Sequence, residues 1–140
     1  MSIKAINEYN KVGVKSGVDQ ATPHRMVQML LEGALTRIAI AKGHMERKEL
    51  AQQGEEISKA ITIVGGLQAT LDPEKGGEVA GNLDYLYDHI AQGLMQANSE
   101  SSIEKLDQII NLLVEIKSGW DAIPVEHHQT TGLSDSEASS

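Results

Sequence analysis

Five histidines are the side chains best suited to chemistry in this sequence: His24, His44, His89, His127 and His128. A carboxylate-bridged metal centre in a helical bundle takes a Glu-x-x-His motif from each of two helices. The residues three positions before the histidines are Ala21, Ala41, Leu86, Pro124 and Val125, so the motif is missing at every one. The adjacent pair His127-His128 reads as polar residues of a tail rather than as ligands at metal spacing. With no cysteine there is no thiolate ligand, no thiol nucleophile and no disulfide. Gly65-Gly66 and Gly76-Gly77 lack the Lys-Ser/Thr that completes a phosphate-binding loop. His89-Ile90-Ala91-Gln92-Gly93 keeps one chemical alternative open, because histidine phosphotransfer modules are four-helix bundles with an exposed histidine. It lacks a lysine beside Gly93 to neutralise phosphoryl charge. No catalytic, cofactor-binding or metal-binding residue is assigned.

What the chain has in surplus is apolar surface at helical spacing. Four segments repeat apolar residues at i, i+3, i+4 and i+7. The first runs from about Pro23 to Arg47, with Val27, Leu30, Leu31, Ala34, Ile38, Ala41 and Met45. The second runs from about Leu50 to Leu71 and the third from about Glu78 to Ala97. The fourth runs from about Ser102 to Ile123, opened by Ser101-Ser102-Ile103-Glu104 in the form of a capping box. Short linkers force antiparallel neighbours, so the expected fold is all-α: an up-down-up-down four-helix bundle over residues 22–123. Residues 1–21 form a short amphipathic arm with Ile6 and Tyr9 on one face, followed by a glycine-containing link. Residues 124–140 read as a disordered polar tail.

On the fourth helix the apolar residues from Leu112 round to Val114 span about 200° of the wheel, whereas burying one face takes ~100° or somewhat more. The excess is either a generous core or a groove that a partner fills. Six residues are candidates for such a groove: Tyr87, Met95, Ile109, Leu112, Ile116 and Trp120. Trp120 reads equally as a core plug at the end of the bundle. Net charge is −8, which argues against nucleic acid. No apolar run approaches the ~20 residues of a membrane span, and the N-terminus lacks the apolar region of a secretory signal.

The stretch Thr22-Pro23-His24-Arg25-Met26-Val27-Gln28-Met29-Leu30-Leu31-Glu32-Gly33-Ala34-Leu35 pairs a helix cap and a first-turn proline with an amphipathic run. It resembles the signature of the flagellar export chaperones, the FliS family. Further similar pieces are Lys59-Ala60-Ile61 with Gly66-Leu67, Leu71-Asp72 through Gly76-Gly77-Glu78, and Asn82-Leu83-Asp84-Tyr85-Leu86-Tyr87. Trp120 sits where the last helix of that family ends, and the likeness runs from about Ala5 to Ile123. Leu31-Glu32 departs from the family's usual Tyr-Asp, so no binding role of that tyrosine carries over. The resemblance implies a cytoplasmic chaperone without enzymatic activity that binds the C-terminal segment of flagellin and hands it to the flagellar type III export gate. It also implies a possible anti-sigma factor partner and possible homodimers. The arm then reads as a segment that covers the groove when no client is present.

Overall fold

The computed structural model describes residues 22–124, 126 and 127. The arm with Ile6 and Tyr9, and most of the polar tail, lie outside the described residues. Helix α1 spans Pro23–Glu46 and starts where the Thr22 hydroxyl accepts from the Arg25 N–H at 3.1 Å. Its buried residues are His24, Val27, Leu31, Ala34, Ile38, Ala41 and Met45, a run of alternating three- and four-residue steps. That spacing keeps one narrow stripe facing the partner helices along the whole length. Leu30, expected in the stripe, is half-buried on its flank, and His24 takes a place in the core.

Helix α2, Leu50–Ala69, runs back after a tight turn in which Lys48 adopts φ 61°. It buries Gln53, Glu56, Ile57, Ala60, Val64 and Leu67. Gly65 faces open space and a Cβ on Gly66 would meet only a Leu30 methyl at 4.0 Å, so neither glycine is needed for close packing. Helix α3, Pro73–Glu100, is capped by the Asp72 carboxylate, which accepts from the N–H groups of Glu74 and Lys75 at 3.0 and 3.3 Å. The segment expected as a linker up to Gly77 is therefore a first helical turn. Gly77 then breaks the helix with φ 52°, ψ −123°, a conformation that a residue with a Cβ rarely adopts. Helix α4, Ile103–Asp121, buries Leu106, Ile109, Leu113 and Trp120.

The expected capping box at Ser101 is corrected. Ser101 lies in the left-handed region at φ 49°, and Ser102 is the cap, accepting from the Lys105 N–H at 3.1 Å. Three residues after Ser102 stands Lys105 rather than an acid, so the reciprocal bond of the box has no acceptor.

The four helices form an antiparallel ring. Helix α1 packs on α2 and α4, and α3 packs on α2 and α4. The α1–α2 contact is the most extensive and the α3–α4 contact the least. The core is aliphatic, with Leu31, Ile38, Ile57, Leu67, Ile90, Leu94, Leu106 and Leu113 its largest fully buried side chains. Each contributes about 1.5–3 kcal/mol relative to an exposed side chain. Among the described residues no helix is long and apolar enough to cross a membrane.

Candidate interaction site

Three of the four seams of this ring carry polar pairs, those between α1 and α2 toward the connecting turn. Between α1 and α4, Lys42 Nζ meets Asp107 at 2.8 Å, Gln28 donates to Asp121 at 2.6 Å, and Lys117 bridges Asp121 at 2.6 Å and Glu32 at 3.6 Å. The hydrogen bond from Lys117, supported by that from Gln28, holds the Asp121 carboxyl below its usual range despite partial desolvation. Between α1 and α2, Arg37 bonds the buried Glu56 at 2.9 Å, and His44 pairs with Glu49 at 2.8 Å. Between α2 and α3, Gln53 Nε2 donates to Asn98 Oδ1 at 2.9 Å, and Gln68 Nε2 donates to Asp84 and Asp88 at 3.1 and 2.9 Å.

The α3–α4 seam differs. Among the described residues its one ion pair is Lys105–Glu100 at 3.6 Å, beside the connecting loop. Its middle is apolar. A Cβ on Gly93 would lie 3.1 Å from Ile109 Cδ1, so the glycine of α3 leaves the space that this isoleucine fills. Leu86 lies two turns before Gly93 on the same face, and Leu112 and Ile116 lie one and two turns beyond Ile109. All three are half-buried. Antiparallel packing sets Leu86 opposite Ile116, so half-covered aliphatic side chains flank the α3–α4 seam on both helices.

The six candidate residues divide on burial. Leu112 and Ile116 lie on this seam. Tyr87, Ile109 and Trp120 are 2%, 7% and 7% exposed, so in the free protein they belong to the core, which for Trp120 is the core-plug reading. Burial pushes the Tyr87 hydroxyl up to about 12. Trp120 donates its indole N–H to the His24 carbonyl at 3.0 Å and stacks on the His24 ring at 4.7 Å, which closes the bundle end. Met95 is 61% exposed but sits on the flank of α3 that Asp84 and Asp88 turn toward α2, nearly opposite Gly93. Leu86 and Gly93 were missed as seam residues. Leu86 falls within the apolar repeat of the third segment, and Gly93 drew notice only as the glycine four residues after His89. Packing against Ile109 accounts for that glycine without any phosphoryl group. Among the described residues no cluster of three or more potential metal ligands occurs.

The family described as "Flagellar protein FliS" matches residues 5–127. A flagellar secretion chaperone of Pseudomonas aeruginosa is 46% identical over 122 residues, covering 87% of this chain and 97% of that protein. Those of Vibrio cholerae and Salmonella typhimurium are each 40% identical, over 127 and 119 residues, covering 91% and 84% of this chain and 93% and 88% of their own lengths.

Proposed function

The chain belongs to the FliS family of flagellar secretion chaperones, and from that premise we propose that its client is the C-terminal segment of flagellin, held along the α3–α4 seam. The observation that carries the seam assignment is its composition: half-buried Leu86, Leu112 and Ile116 with, among the described residues, no ion pair away from the loop end. A client helix that lays an apolar face there completes a burial that the bundle leaves unfinished. Ordering a disordered client costs about 2–5 kcal/mol or more. Burying several hundred Å² of apolar surface returns on the order of 10 kcal/mol, enough to exceed that cost. Binding runs by mass action and needs no covalent step.

In this reading the client is held unpolymerised in the cytoplasm and passed to the flagellar export gate. The arm, through Ile6 and Tyr9, covers the seam in the absence of client. An anti-sigma factor or a second copy of the chain would compete for the same apolar surface. Family membership favours this reading over the phosphotransfer module. The test is calorimetry with a flagellin C-terminal peptide against Leu112→Asp and Ile116→Asp. Both positions are half-buried on the edge of the core, so each variant is first checked for parent-like helicity, and both should bind at least tenfold more weakly, about 1.4 kcal/mol or more. A folded variant with unchanged affinity removes that residue from the site. Loss of helicity in both would place them in the core instead.

A further inference from the structure

Helix α3 carries a second surface, on the side away from α4. Tyr85 and Met95 are 72% and 61% exposed, among the most exposed large apolar side chains of the described residues. With Asp88 and Gln92, both exposed, they follow steps of three and four residues along one outward stripe. The stripe is ~15 Å long, the length of about three helical turns.

Among the described residues no cation pairs with the carboxylates of Asp84 and Asp88. Among the described residues Glu32, Glu49, Glu56, Glu100, Asp107 and Asp121 take part in ion pairs, whereas Asp84 and Asp88, like Glu46, Glu55, Glu74, Glu78, Glu104 and Glu115, do not. Asp84 and Asp88 stand one turn apart, an i, i+4 arrangement in which like charges oppose helix formation. Their shared partner is the neutral amide of Gln68, which uses Oδ1 of each and turns the two carboxylates to one side.

We propose that this face of α3 docks a cationic amphipathic helix of a partner protein, whose apolar side chains cover Tyr85 and Met95 while its lysines or arginines pair with Asp84 and Asp88. Charge complementarity selects the partner's sign, and the exposed tyrosine and methionine supply an anchor and an adaptable contact. The surface lies on the opposite flank of α3 from the α3–α4 seam, so both can be occupied at once.

The probe is a synthetic Lys/Leu amphipathic peptide about 15 residues long, some four turns, titrated into the full chain and followed by amide NMR and by affinity. Shifts should cluster on residues 81–96. The double variant Asp84→Asn/Asp88→Asn should bind about tenfold more weakly at low salt, with the difference shrinking as salt screens the pairs. Tyr85→Ala should weaken binding as well. Glu104→Gln/Glu115→Gln removes the same net charge from exposed carboxylates of α4 and should change nothing. Ile116→Asp should also leave peptide binding intact, which separates this surface from the seam. Equal losses in the two double variants, shifts centred on α4, or equal binding of a Glu/Leu peptide would overturn the proposal.

Discussion

Replacing Trp120 with alanine should destabilise the bundle by about 3–5 kcal/mol, the range for truncating a large buried aromatic. Trp120 is 7% exposed, stacks on His24 with an interplanar angle of 11°, and ties the end of α4 to the start of α1 through its 3.0 Å bond to the His24 carbonyl. Against a total of about 5–15 kcal/mol for an ordinary domain, that loss is a large fraction. Trp120→Phe separates the contributions. Phenylalanine keeps a ring to stack on His24 but has no N–H, so it should cost about 1 kcal/mol, near the net value of one hydrogen bond. The melting temperature should then fall by roughly 4–8 °C for a bundle of this size. Urea and thermal unfolding followed by circular dichroism measure both variants, since the substitutions remove the sole tryptophan. An alanine variant with an unchanged unfolding midpoint but lost client binding would refute the argument and return Trp120 to the groove. Equal losses for phenylalanine and alanine would show that the hydrogen bond, rather than ring burial, holds the end closed.

The remaining expectations concern acid stability and the arm. Burial alone would raise the carboxyl pKa of Glu56, but the Arg37 hydrogen bond and the charges of Lys59 and Arg37 outweigh it and hold the group below its ordinary value of 4.5. Its contribution to stability is therefore present above that value and lost as pH falls through the lower folded-state pKa. In Glu56→Gln the unfolding midpoint, measured from pH 7 down to pH 3, should decline less steeply than in the parent; parallel curves would remove Glu56 from the acid limb. A chain starting near Ala21 should bind the flagellin peptide about tenfold more tightly, about 1.4 kcal/mol, if the arm covers the seam. Weaker binding by calorimetry would make the arm a clasp, and no change would remove it from the equilibrium.

The four helices were legible because each carries an uninterrupted apolar stripe. Val27, Ala34, Ile38, Ala41 and Met45 of α1 all appear in the core as their spacing requires. The site was less legible. A wheel fixes a side chain's angle about its own axis but not where the neighbouring helices stand. The wide arc of α4 reflects two neighbours: Leu112 and Ile116 look toward α3, while Lys117 and Asp121 latch to α1. Ile109 and Trp120, within the arc, fell to the core, and Tyr87 did so on α3. Buried Gln53 and Glu56 escaped notice, since only the structure brings Asn98 and Arg37 beside them. Gly77 read as part of a linker, but a helical turn on both sides makes it a break inside one helix.

The central claim, that the α3–α4 seam receives the client, is tested most directly by methyl NMR of the full chain titrated with the C-terminal segment of flagellin from the same host. Binding should perturb the methyls of Leu86, Leu112 and Ile116 first and most, and should leave Leu31 and Ile38 of α1, fully buried on the far side of the core, nearly unshifted. Strong perturbation centred on the α1–α2 face with a silent α3–α4 seam, or no binding of the segment at all, would contradict it.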